Sequence, residues 1–275
     1  MIRLIAMDLD GTLLNDQKEI PRENRLAIEE VRSQGVRVVL CSGRSRKSME
    51  RYVSELGFNR EGEYYISSNG ACIYEGNREE PWNVCRLPEG AVSALVKLGR
   101  EYSKYVNAHL YVGNEFLVER YLPCTRQYER LSGCRCTKVD SLDPYLNTPM
   151  YKMLFNNLGE PEQLIWLQKE IQNRLPRDVQ MFRSSAFLLE FVHRDAGKWN
   201  ALLRLAAFLK IDQEEILCIG DNENDKSMVQ NAFFGAVPSN AIDLIQKEAD
   251  YVSGKDNNQA AVADIFRFAK KQGIL

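Results

Sequence analysis

Long apolar runs are missing from this 275-residue chain. Its densest one, 201–209, is interrupted by Arg204, so nothing approaches the ~18–20 residues of a membrane span. Glycine and proline are scarce, 17 and 9 residues, which excludes a low-complexity or disordered chain. A charge excess of either sign is lacking, with 36 Lys+Arg against 38 Asp+Glu and a net charge of −2. No basic surface for nonspecific nucleic-acid binding follows from that balance, and no nucleic-acid or membrane partner is expected. The N-terminus turns acidic at Asp8, too early for a secretory signal, so a cytoplasmic location is expected. Seven cysteines, an odd and irregularly spaced set, argue against a disulfide framework. Cys134 and Cys136 lack a second ligand pair for zinc, and both histidines, His109 and His193, lie far off in sequence, so free thiols are the simpler reading.

What is present is an alternation of strand and helix signals. Ile2–Met7 reads as a strand buried on both faces. Pro21 opens a helix ending near Gly35. Val36–Cys41 and Tyr64–Ser67 read as strands around a helix at Ser45–Leu56, and Asn69-Gly70 marks a turn before Ala71–Tyr74. The rhythm returns with a helix at Lys198–Lys210, a strand at Ile216–Gly220, a helix from Asp225 to Gln230, a strand at Phe233–Val237, and helices at Ala241–Lys247 and Ala260–Lys271. The expected fold class is α/β: a doubly wound, parallel, Rossmann-like sheet built from residues 1–82 and 188–275. Residues 83–187 read instead as an inserted α+β unit, with helices near 89–102, 122–131 and 162–175. Strands are expected there near 106–112, 116–118, 135–139, 151–154 and 179–182.

Four segments carry the chemistry. Asp8-Leu9-Asp10-Gly11-Thr12 follows the first strand, and ligands bind at the carboxyl ends of parallel strands. Two acids in one confined site repel, which suits one as a metal-bound nucleophile and the other as proton carrier. The turn at Gly11 and Thr12 can bring backbone amides toward an anion. Ser42-Gly43-Arg44 ends the second strand, placing a hydroxyl and an amide at the same edge before a helix. Lys198, heading a helix after Gly197, can neutralise an anionic nucleophile and phosphate. Asp221, at a strand end, is an oxygen ligand suited to Mg²⁺, Asn224 a phosphate donor, and Asp225 a support for lysine or metal. Each has an ordinary reading in isolation: an Asp-Gly turn, an N-cap serine, a solvated lysine, an acidic helix cap. Four at once, all at strand ends or helix starts, make coincidence a poor account.

This ordered set resembles the four motifs of the haloacid-dehalogenase-like (HAD) hydrolases, most closely the Cof-type phosphatases with a large α/β cap between the second and third motifs. The likeness spans the whole chain, including Ser68-Asn69-Gly70-Ala71 and Leu189-Glu190 through Gly197-Lys198. One segment, Asp256-Asn257-Asn258-Gln259-Ala260-Ala261-Val262, lacks the glycine such sequences carry before the valine. The resemblance implies a phosphoric monoester hydrolase in which Asp8 attacks phosphorus and Asp10 serves the leaving group, then water. It implies Mg²⁺ held by Asp8, the Asp10 carbonyl and Asp221. Ser42, the Leu9 and Gly43 amides, Lys198 and Asn224 would surround the phosphoryl group, with Thr12, Arg44 and Asp225 in support. The partner implied is a small phosphate ester, with sugar phosphates ahead of cofactor phosphates; oligomeric state is left open. A phosphomutase with the same nucleophile, a receiver-like signalling module and an inactive binding protein are the alternatives. Tyr111, Tyr121, Tyr128, Tyr151, Arg126 and His109 of the insert are assigned no role.

Overall fold

The structure is a computed structural model that describes residues 1–113 and 115–275. The chain opens with β1 (Leu4–Met7), α1 (Arg22–Ser33), β2 (Arg37–Cys41), α2 (Arg46–Glu55), β3 (Tyr64–Ser67), β4 (Cys72–Glu75) and β5 (Asn83–Val84). A second series follows: α3 (Ala91–Glu101), β6 (Val106–Val112), β7 (Glu115–Val118), α4 (Pro123–Ser132), β8 (Arg135–Lys138), β9 (Lys152–Asn157), α5 (Pro161–Ile171), β10 (Val179–Ser185) and β11 (Leu188–His193). The chain then returns through α6 (Lys198–Leu209), β12 (Ile216–Ile219), α7 (Lys226–Asn231), β13 (Phe234–Val237), α8 (Asp243–Gln246), β14 (Tyr251–Val252) and α9 (Ala261–Lys271).

The first and last series share one eight-stranded sheet in the order β14-β13-β12-β1-β2-β3-β4-β5. Six of these strands run parallel, while β4 and β5 fold back antiparallel beside β3, so the sheet is doubly wound but not wholly parallel. Strand β1 shows why its residues must all be apolar. Ile5 and Met7 pack into the layer containing Ile28, Val31 and Phe266, whereas Leu4 and Ala6 pack against Leu202 and Leu205 on the opposite face. Fully buried, the Leu4, Ile5 and Met7 side chains each contribute roughly 1.5–3 kcal/mol.

The second series forms a six-stranded sheet, β10-β11-β9-β6-β7-β8, with its own core around Leu95, Met153, Leu167 and Phe191. Its pairings are antiparallel except for β7 with β8. The boundaries differ from those expected. Asn83–Val84 pairs with β4 in the first sheet, and Leu188–His193 pairs with β9 and β10 in the second, which therefore reaches His193. A strand's own sequence does not show which partner it pairs with, and these two short runs read alike in either sheet. Among the described residues no helix is long and apolar enough to cross a membrane, and all seven cysteines are free thiols.

Candidate active site

Strand order brings the predicted segments together. In the central triplet β12-β1-β2, Met7 stands beside Ile219 on one side and Leu40 on the other. The residues that follow these strands therefore emerge side by side, a strand spacing of about 4.8 Å apart, at one sheet edge. There Asp8, Ser42 and Asp221 are all buried, and the Asp8 amide donates to the Ile219 carbonyl at 3.0 Å.

Carboxylate oxygens of Asp8, Asp221 and Asp225 lie within 4.8 Å of one another. Lys198, buried at the start of α6, donates to Asp8 Oδ1 at 2.6 Å and to Asp225 Oδ1. Burial pushes the Asp8 carboxyl up to about 7; Lys198 opposes that rise, and Asp225 and Asp10 add to it. Asp221 is driven well above the usual carboxylate range by burial first, then by Asp8 and Asp225. The Lys198 ammonium is held charged, because Asp225 and Asp8 outweigh the burial that would neutralise it. One ammonium thus faces three acids in a space that penalises excess negative charge.

Those acids are not equivalent. Asp225 Oδ2 accepts from the backbone amides of Asp221 and Asn222 at 3.0 and 3.1 Å, and its Oδ1 takes Lys198, so both oxygens are engaged. Asp221 Oδ1 accepts from the buried Thr12 hydroxyl at 2.7 Å. Its Oδ2 lies against Gly11, where a Cβ would come within 2.4 Å of it and the backbone takes φ +77°. Only glycine fits that position. The all-oxygen donor set and its negative excess fit a hard divalent cation, with Asp8 and Asp221 as the carboxylates left to hold it.

The Asp10 side chain is held by two cations. Arg44 grips it in a fork, Nε to Oδ2 at 2.6 Å and Nη2 to Oδ1 at 2.8 Å, and Lys18 adds a bond at 2.7 Å. Burial would raise this carboxyl, but the two cations hold it down at about 2. Its carboxylate is not one of the Asp8–Asp221–Asp225 group whose oxygens lie within 4.8 Å of one another.

Asp8, Asp10, Ser42, Gly43, Arg44 and Asn224 line a cavity of about 230 Å³ between the sheet edge and the insert, closed on the far side by Tyr111, Tyr128 and Leu188. Leu9 is buried under its loop, its carbonyl accepting from the Leu14 amide at 2.8 Å. Of the unassigned insert residues, Tyr111 and Tyr128 reach this cavity and share a hydroxyl–hydroxyl contact. Three residues that line this cavity, Lys18, Lys152 and Glu190, receive no role from the sequence, although Glu190 lies in a segment that carries the family likeness. Asn69, within the same likeness, is signalled by the turn dipeptide Asn69-Gly70, and that signal speaks of backbone rather than site.

Three buried acids and a buried ammonium thus converge on the carboxyl edge of a doubly wound sheet, beneath an inserted unit. The chain belongs to the haloacid dehalogenase-like hydrolases, whose family profile matches residues 5–266. The Bacillus subtilis protein named “Putative phosphatase YxeH” is 33% identical over 271 residues, 96% of either chain. The 5-amino-6-(5-phospho-D-ribitylamino)uracil phosphatase YcsE of the same organism is 26% identical over 92% of this chain and 90% of its own. A solved haloacid dehalogenase-like hydrolase from Bacteroides thetaiotaomicron superposes with a TM-score of 0.83 at 30% identity, covering 98% and 99% of the two chains.

Proposed function

We propose that the protein is a Mg²⁺-dependent phosphatase of small phosphorylated metabolites that forms an aspartyl-phosphate on Asp8. The observation that carries this reading is the convergence of the Asp8 and Asp221 carboxylates with the Lys198 ammonium, with Asp8 itself lining one small cavity. The relatives' phosphatase names support it. Mg²⁺ would be held by Asp8, Asp221 and the Asp10 carbonyl, and when bound would supply charge neutralisation at the phosphate.

The chain's own residues account for the rest. Lys198 holds Asp8 Oδ1, leaving the second oxygen to attack phosphorus as the bond to the leaving oxygen breaks. The Ser42 hydroxyl, the Leu9 and Gly43 amides and Asn224 receive the transferring oxygens. Asp10 gives a proton to the departing oxygen, then takes one from the water that cleaves the Asp8 ester and frees phosphate. With Arg44 and Lys18 clamped on it, Asp10 holds no proton; an anionic phosphate competes for both cations, and the carboxylate so freed takes a proton from water before passing it to the departing oxygen. The unit spanning residues 83–187, extended by pairing to His193, acts as a cap that excludes water and selects the leaving group.

Purified protein should release phosphate from 4-nitrophenyl phosphate with Mg²⁺ and stop on addition of EDTA. Asp8→Asn should lower kcat by on the order of 10³-fold or more. Turnover surviving in that variant would remove Asp8 as the nucleophile. A product in which phosphate moves to another hydroxyl of a sugar phosphate would assign a mutase instead.

A further inference from the structure

We infer that the insert sets the geometry of the phosphate-facing loop through a buried polar chain, with Lys152 and Glu190 as positioning residues; this rests on the phosphatase reading above. Lys152 opens β9, and Glu190 lies within β11, opposite Leu154. In antiparallel strands that offset makes them diagonal neighbours on one face. Both are almost wholly buried, with Lys152 Nζ 3.0 Å from Glu190 Oε2. The same ammonium crosses from the insert to the core and donates to the Gly43 carbonyl at 2.7 Å, with the Tyr111 ring centroid 4.6 Å away.

That carbonyl belongs to the peptide plane joining Gly43 to Arg44. On its opposite edge the Arg44 amide donates to Ser42 Oγ at 3.2 Å. Because the unit is rigid and planar, fixing the oxygen fixes the amide, and through it the Ser42 hydroxyl. Glu190 extends the chain to a second phosphate-facing group. Its Oε2 accepts from Asn69 Nδ2 at 2.9 Å, and Asn69 Oδ1 accepts from Asn224 Nδ2 at 2.9 Å. Asn69 also binds by its backbone, donating to the Ser42 carbonyl at 3.0 Å and accepting from the Gly197 amide at 2.9 Å, next to Lys198. Ser68 and Asn69 both adopt left-handed φ, 50° and 55°. Successive non-glycine residues hold such angles only where the surroundings dictate them.

Stability is a weak reason for such a pair, since desolvation offsets much of the attraction between two buried charges, and apolar pairs often serve as well. The contact to Gly43 is what an apolar pair would lack. With the ammonium occupied by Glu190, Gly43 and the Tyr111 face, Lys152 acts through the loop rather than on substrate.

The double variant Lys152→Met with Glu190→Gln removes the donor to Gly43, leaves no lone buried charge and keeps an acceptor for Asn69. It should melt cooperatively, yet its Ki for orthovanadate should rise about tenfold or more, and inorganic phosphate should stabilise it less than it stabilises the wild type. Lys152→Arg should recover to within about threefold of wild type. A Ki within twofold of wild type in the folded double variant overturns the inference. An unchanged Ki with a KM that rises only for bulky esters also overturns it, making Lys152 a leaving-group contact. Should the double variant fail to fold, Glu190→Gln alone must raise the Ki at least threefold, and no change there is equally fatal. A wild type that neither binds orthovanadate nor hydrolyses aryl phosphate sinks the phosphatase reading itself, whereas binding in wild type with unaltered variants sinks only this one.

Discussion

His109 sits in the insert with both ring nitrogens lacking a hydrogen-bond partner among the described residues, stacked on Phe116 at a centroid distance of 4.7 Å. Burial, helped by the Lys152 charge, lowers its pKa to about 3. An unfolded imidazole titrates near 6.5, so between about 3 and 6.5 the unfolded chain binds the proton that the native one refuses. The stability held by neutral His109 is therefore intact above about pH 6.5 and is lost progressively as the pH falls toward 3. From pH 7 to pH 5 this single group should remove about 2 kcal/mol. Urea unfolding of His109→Phe at the two pH values should show a difference smaller by that amount, and a gain at pH 7, since unmet buried polar atoms cost about 1–3 kcal/mol each. An unchanged difference between the two pH values would refute this account. The same residue scale shows what a sequence discloses. Asp8, Ser42 and Asp221 are legible because each follows an apolar strand, and parallel strands deliver their ends to one edge. Lys152 is not, because a lysine in a strand reads as a solvent-facing residue until a distant glutamate and a loop carbonyl surround it.

At the scale of elements, α9 begins on a non-glycine residue in the left-handed region. Ala260, the residue that precedes its first turn, takes φ +61° and ψ +52°. The loop is held there from outside: Asn257 Nδ2 donates to the Leu14 carbonyl at 2.9 Å, and Asn258 Nδ2 bonds Asp16 at 3.2 Å. A left-handed L-residue costs roughly 1–2 kcal/mol, partly offset by the extra entropy a glycine would carry in the unfolded chain. Ala260→Gly should thus stabilise the protein by about 0.5–1 kcal/mol, seen as a higher urea midpoint at unchanged slope. A lower midpoint would show that the buried methyl outweighs the backbone strain. Long apolar or amphipathic elements such as β1, α1 and α9 are legible because their periodicity is local. The two-residue β5 and β14 are not, because each is fixed by the sheet edge it joins, whereas the four-residue α8 falls within the helix read at 241–247 and β4 follows the turn read at Asn69-Gly70. Likewise β11 joins the insert by virtue of β9 and β10, partners whose identity no local pattern records.

Across the whole molecule, insert and core meet on two sides of the cavity. On one, Lys152 reaches Gly43 and the Ser48 hydroxyl donates to the Ser132 carbonyl. On the other, Arg183 Nη2 pairs with Glu223 Oε2 at 3.0 Å and Gln168 Nε2 donates to Glu223 Oε1 at 3.1 Å. Glu223 lies between Asp221 and Asp225, so this second clasp ends in the loop that carries the acids. Unlike Lys152–Glu190, it is partly open to solvent, and such a pair contributes only about 0.2–1 kcal/mol. That is enough to tilt a balance between open and closed arrangements by roughly 1.5- to 5-fold, and far too little to unfold either unit. Arg183→Gln should accordingly raise the KM for 4-nitrophenyl phosphate about two- to fivefold, leave the melting temperature within a few degrees, and hold kcat or increase it if opening limits product release. Raising the salt concentration should weaken the wild type toward the variant and change the variant little, because exposed ion pairs are screened. Equal salt responses in the two proteins would show that closure does not depend on this pair.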